Sequence, residues 1–145
     1  MNFIEWNVNF YTGLPDVDQQ HAKLIALTNR LGEASEGKPE ILDLAFRELN
    51  AYVAEHFSLE ERVMVEAGID PQHINYHKNA HALFVAKVDE LWDSRDSSAE
   101  RNLQEMLDFL KAWILQHILH TDREMARAVH AKLGTAAPHN MFTHF

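Results

Sequence analysis

Four stretches of the chain place apolar residues three and four positions apart, and each reads as an amphipathic helix with one inward stripe. The first carries Leu24, Ile25, Thr28 and Leu31. A cap at Asp16, with Gln19 after it, or at Asp18 itself would start this helix, which is predicted to run to about Leu31 and stop at Gly32. The second begins at Pro39, whose ring suits a first helical turn, carries Leu49, Tyr52, Val53, Phe57, Val63 and Met64, and stops at Gly68. Asp70 as cap and Pro71 at the first helical position open the third, with Phe84, Val85, Val88, Leu91 and Trp92 on its stripe and an end near Asp93. Ser97 with Glu100 forms a capping box for the fourth, which carries Leu103, Met106, Leu110, Trp113 and Ile114 and extends to about Lys132, before Gly134.

Helices joined by loops of about 4 to 8 residues have antiparallel neighbours, so the pattern predicts an all-α, up-down-up-down antiparallel four-helix bundle. No strand signal competes. Residues 1–17 mix aromatic, apolar and polar groups with Gly13 and Pro15 and read as an N-terminal extended arm, whose Phe3, Trp6, Phe10 and Tyr11 are expected to cover one end of the bundle. Residues 133–145 form a C-terminal tail. One domain over residues 1–145 accounts for the length.

The inward stripes are interrupted by residues that do not belong in a core. His56 and Glu60 sit four apart in the middle of the second stripe, and His77 and His81 do the same in the third. The first holds His21 and the fourth His117, with Asp122 five residues further on. Burying imidazoles and carboxylates costs several kcal/mol unless a strong partner offsets it. A metal ion is such a partner. Five His and two carboxylates exceed the needs of one ion. Two ions bridged by Glu60 and Asp122 use the set economically, three His on one and two on the other. The step from His117 to Asp122 turns about 140° on a regular helix. Either Asp122 reaches in from the edge of the stripe or the helix is locally distorted.

Composition narrows the chemistry. The absence of Cys removes disulfides, thiolate zinc sites and iron–sulfur clusters, so a metal here is held by nitrogen and oxygen. A formal charge of -9 disfavours nucleic acid and anionic membrane surfaces. With no apolar run near the roughly 18 residues of a membrane span, and with Met1 to Leu14 unlike a signal peptide in carrying acidic Glu5 and no basic cluster, the chain is expected to be cytoplasmic, with no membrane partner.

The ordered series His, His-x3-Glu, His-x3-His and His-x4-Asp resembles the hemerythrin family in its single-domain bacterial form. Asp18-Gln19-Gln20-His21, His56 to Glu61 with Met64, Tyr76-His77 with His81, and Trp113 to Asp122 carry the likeness, which covers roughly residues 5–130. The resemblance implies a non-haem di-iron site binding dioxygen reversibly. By that pattern His77, His81 and His117 hold one iron and His21 and His56 the other, Glu60, Asp122 and an oxo or hydroxo group bridge them, and the iron with fewer His has the open position. The donor types alone also suit zinc, manganese or copper. Iron comes from the resemblance.

Other polar residues have plainer readings. His73 is expected at an exposed helix start, His120, His130, His139 and His144 on the surface or in the tail, and Glu61 in solvent. Trp113 and Ile114 either wall a gas pocket or simply pack the core. Oxygen storage, delivery or scavenging is the function expected, by a monomer that is not an enzyme. A sensory module acting through a protein partner is the alternative, and a di-iron oxidase a weaker one, because the Glu-x-x-His pairs of ferritin-like oxidases are absent.

Overall fold

The computed structural model of the chain describes residues 4–94 and 99–135, with side chains from residue 104 onward in the second stretch. Helices α1 (Pro15–Ala34), α2 (Pro39–Ala67) and α3 (Pro71–Asp93) are followed by a long rod made of α4 (Ala99–Gln116), a π-helical turn (His117–Thr121) and α5 (Asp122–Leu133). Side-chain pairs show that neighbours run in opposite directions. Gln20 meets His56 while Arg30 meets Glu48, Glu61 meets His81 while Phe46 stacks on Trp92, and Asp122 meets His77 while Trp113 stacks on Phe84. The rod also returns antiparallel to α1, with His21 against Asp122 and Ile25 against Ile114 and Ile118. This is the expected four-helix bundle.

Helix ends follow local chemistry with two exceptions. Gly68, at φ 71, closes α2 in the left-handed conformation that glycine adopts without strain, and Asp70 accepts from Gln72 N at 2.9 Å to open α3. The first helix departs from expectation at both ends. It starts at Pro15 behind Leu14, and Asp18, already inside it, turns back to accept from Thr12 N and Thr12 Oγ1 at 2.7 Å and from Gly13 N at 3.1 Å. Asp18 therefore ties the arm to the helix rather than capping it. Gly32 does not stop α1, because one interior glycine costs only about 1 kcal/mol and Leu31 O still accepts from Ser35 N. The capping box at Ser97 and Glu100 and the tail from residue 136 lie outside the described residues, as do Phe3, His139 and His144.

The arm corrects a second expectation. Its residues 8–10 form one 3-10 turn, and it lies along the seam between α1 and the rod rather than over an end of the bundle. Ile4 pairs through its backbone with Asn29 at 2.6 and 2.9 Å, and Phe10 is buried with Ile25, Ile114 and Ile118. His130 of α5 fixes the other end. It is 5% exposed, not a surface residue, because Nε2 donates to Thr12 O at 2.9 Å while Nδ1 meets Thr135 Oγ1 at 2.6 Å.

Besides that seam, two further apolar zones fill the bundle. Leu31, Leu49, Val88 and Leu110 centre the larger one, toward the α2–rod start, and Val17, Met64, Met125 and Val129 the smaller, toward the α2–α3 turn. The polar stripe lies between them. Among the described residues no helix is long and apolar enough to cross a membrane.

Candidate metal centre

All seven residues singled out from the stripes are buried, and the structure gathers them into one cluster. Each helix contributes on its inward face: α1 His21, α2 His56 and Glu60, α3 His77 and His81, and the rod His117 and Asp122. The π turn answers how the last pair converges. Asp122 N bonds to His117 O, five residues back, and this wider turn takes up one extra residue so that both side chains face inward. Local distortion, not an edge approach, is what the helix adopts.

The two carboxylates divide the imidazoles between them. Glu60 Oε1 lies 3.4 Å from His77 Nε2, 3.1 Å from His81 Nε2 and 3.5 Å from His117 Nε2. Its other oxygen, Oε2, lies 3.6 Å from His21 Nε2 and 3.4 Å from His56 Nε2. Asp122 repeats the division, with Oδ1 3.2 Å from His77 and 3.0 Å from His117 and Oδ2 2.8 Å from His21. Each carboxylate thus spans a three-histidine group and a two-histidine group.

These contacts suit cations better than they suit one another. His56 Nε2, Glu60 Oε2 and Asp122 Oδ1 are buried without a hydrogen-bond partner, a costly arrangement if nothing else engages them. His81 and His117 bring two Nε2 atoms within 3.1 Å. Two donors about 2.1 Å from one ion and at right angles to each other stand about 3 Å apart. Donor atoms in each group lie within 4.8 Å of one another, so Glu60, His77, His81 and His117 could hold one ion and His21, His56, Glu60 and Asp122 another.

The charges within the cluster favour protonated imidazoles. Burial disfavours the charged imidazole, yet the Asp122 and Glu60 carboxylates outweigh it and raise His21 to about 10 and His77 to about 9, with His117 also raised. The carboxylates move the other way. Burial opposes their ionisation, but the surrounding imidazoles hold Glu60 and Asp122 well below the usual carboxylate range.

Residues outside the seven brace the rings. Phe57 stacks on His81 with centroids 3.7 Å apart and planes within 4°, and Trp113 stacks on His117 at 4.3 Å and 13°. Trp113 therefore belongs to the three-histidine side. Ile114 packs with Ile25, one turn beyond His21, and with Ile118 and Phe10 in the seam between α1 and the rod. Glu61 corrects its solvent reading: Oε2 accepts from His81 Nδ1 at 2.9 Å with the side chain 31% exposed. Gln20 was not singled out from the sequence, and its Oε1 accepts from His56 Nδ1 at 2.9 Å. The sequence signal for either is that it stands beside an inward residue, His21 or Glu60, within a stretch that carries the family likeness. His73 is half-buried at the start of α3 and His120 is exposed, neither in the cluster.

Comparison with known proteins supports what the geometry shows. The family model of the hemerythrin HHE cation binding domain matches residues 12–129. Bacteriohemerythrin of Pseudomonas aeruginosa is 31% identical over 130 residues, 89% of this chain and 83% of that protein. Bacteriohemerythrin of Clostridium acetobutylicum is 32% identical over 126 residues, 82% and 95% of the two chains, and a hemerythrin-like protein of Naegleria gruberi is 30% identical over 117 residues, 81% and 86%. A solved crystal structure of a point mutant, 23% identical, superposes with a TM-score of 0.77 over 89% of this chain and 98% of that one, which speaks to the fold alone. A cluster of five imidazoles and two shared carboxylates, at the centre of a bundle matched by this family over most of its length, makes the chain a member of the hemerythrin family.

Proposed function

We propose that the chain binds dioxygen reversibly at a non-haem di-iron centre and serves in oxygen storage, delivery or scavenging. His77, His81 and His117 hold one iron, His21 and His56 the other, and Glu60 and Asp122 bridge them. The observation that carries this reading is the split of both carboxylates, one oxygen toward each histidine group. Imidazole and carboxylate suit several metals. Family membership selects iron. When bound, an iron pair would supply redox chemistry and the capacity to take up a small ligand.

The remaining roles fall to side chains of this chain. With fewer protein donors, the two-histidine position is the one with room for dioxygen. Ile114, 1% exposed and packed against Ile25 and Ile118, keeps that side dry. Trp113 holds the plane of His117. A donor set of five imidazoles and two carboxylates carries less negative charge than a carboxylate-rich oxidase site, which favours reversible binding over oxygen-bond cleavage and a binding protein over an enzyme. The reading has the chain as a cytoplasmic monomer whose partner is dioxygen.

The test is an absorption spectrum of iron-loaded protein, first reduced without oxygen, then exposed to air, then degassed. A visible charge-transfer band that appears with air and vanishes on degassing, at about two irons per chain, is expected. Irreversible oxidation, or uptake of zinc alone, overturns the reading.

A further inference from the structure

The hydrogen bonds on the outer side of the rings divide the cluster unequally. A His that turns Nε2 toward a cation carries its proton on Nδ1, and whatever accepts that proton sets how strong a donor the ring becomes. Among the five inward imidazoles, two have side-chain acceptors at Nδ1: His56 donates to the amide oxygen of Gln20 and His81 to the carboxylate of Glu61, both at 2.9 Å. Nδ1 of His21 and of His77 has no hydrogen-bond partner. The neutral acceptor therefore serves the two-histidine group and the anionic acceptor the three-histidine group.

The anionic contact is also the more constrained. Consecutive residues of α2 hold both edges of the His81 ring, Glu60 Oε1 3.1 Å from Nε2 and Glu61 Oε2 2.9 Å from Nδ1, while Phe57, one turn earlier, covers its face. The ring cannot turn away from the carboxylate without leaving Glu60. A charge-assisted hydrogen bond is about twice as strong as a neutral one, and it draws the Nδ1 proton outward, so the ring gives more electron density through Nε2.

We propose that Glu61 and Gln20 are positioning residues that make the two halves of the centre electronically unequal. Glu61 makes His81 the stronger donor and stabilises the ferric over the ferrous state in the three-histidine group, whereas Gln20 only orients His56. This rests on the di-iron reading above, and the experiment separates the two.

The full chain, loaded with iron, is titrated spectroelectrochemically as wild type, Glu61→Gln and Gln20→Glu. Glu61→Gln keeps an acceptor for Nδ1 and removes only its charge, so a merely structural role leaves the potential unmoved. Outer partners of metal-ligating histidines typically contribute 10- to 100-fold in metal affinity, and for one electron a tenfold change in ferric-over-ferrous preference is about 59 mV. The expected result is a rise of at least that size in one of the two one-electron steps for Glu61→Gln and a fall in the other for Gln20→Glu. In parallel, chelator competition with cobalt(II), which involves no oxygen, should show one of two ions held about tenfold more weakly in Glu61→Gln. Two bound ions with potentials and affinities unchanged in both variants overturn the inference alone. A wild-type chain that binds neither iron nor cobalt overturns the metal-centre reading and this inference with it. If circular dichroism shows Glu61→Gln to be unfolded, Gln20→Glu decides: a lowered potential supports the asymmetry and an unchanged one overturns it.

Discussion

The three-histidine and two-histidine halves of the cluster share both carboxylates but little else. His77, His81 and His117 come from the third helix and the rod, and two of the three rings lie flat against aromatic neighbours, Phe57 on His81 and Trp113 on His117. His21 and His56 come from the first two helices and meet edge-on at 4.8 Å, and Ile25, one turn beyond His21, packs with Ile114. Flat stacking fixes ring planes. Aliphatic walls exclude water without competing for a ligand. Two rings of the first half are held flat, and on the reading proposed above the second half is the one that offers a dry approach.

Removing what the halves share should have the largest effect. Glu60→Ala takes an oxygen from each group and leaves imidazoles without their counter-charge. Iron content should fall below one per chain, and breaking buried charge pairs of this kind costs about 3–5 kcal/mol, readable from denaturant unfolding of the metal-free protein. Retention of two irons would show that Asp122 alone can bridge the halves.

Metal removal comes next. On the di-iron reading iron binds the folded cluster and not the dispersed residues of the unfolded chain, so loading should stabilise by about 4 kcal/mol at a free metal concentration a thousand times Kd. Calorimetry of loaded and metal-free protein checks this. Equal thermal midpoints would mean that the cluster does not hold its ions in solution.

The pH dependence of the metal-free chain follows from the protons the cluster holds. For His21 and His77 the folded values, about 10 and about 9, lie above the ordinary 6.5, so their contribution is complete below pH 6.5 and is lost as pH rises through 9 to 10. Glu60 and Asp122 are depressed, so their share is complete above the ordinary carboxylate range and is lost on acidification. Urea midpoints of metal-free protein should therefore decline from pH 7 to 10. In the loaded protein the same nitrogens face metal, and the alkaline decline should vanish; parallel pH profiles would refute the assignment.

Two smaller effects probe the halves separately. Ile114→Ser should speed autoxidation severalfold by wetting the two-histidine side while iron content stays unchanged, and equal rates would remove Ile114 from the pocket wall. Deleting the exposed His120 shortens the spacing to His-x3-Asp, which an ordinary α-helix presents on one face. Iron content should be retained and stability change by only about 1 kcal/mol. A halved iron content would mean that the wide turn itself is needed.

How legible these features were depended on how far along the chain each was decided. Helical periodicity is a property of one segment, so the inward placement of His56, Glu60, His77 and His81 could be read four residues at a time. Turn chemistry at Gly68 and Asp70-Pro71 is equally local. Asp18 shows the limit, since a helix-start residue can cap forward or bond backward, and the arm folding over α1 made it accept from Thr12 and Gly13. From sequence His130 reads as a surface residue, because nothing near it reveals Thr12, 118 residues away.

The sequence by itself determined four helices, their inner faces and seven inward donors, because apolar spacing and turn residues act within a few positions of one another. Only the tertiary structure decided which imidazoles meet which carboxylate oxygen, since that depends on the depth and register at which separate helices pack. The same packing turned Glu61 and Gln20 from flank residues into partners of His81 and His56. It also settled the rod, where the five-residue step from His117 to Asp122 could be met by an edge approach or by a wider turn. With Asp122 needed opposite His21 and His77 at the centre of the bundle, the backbone widened into a π turn.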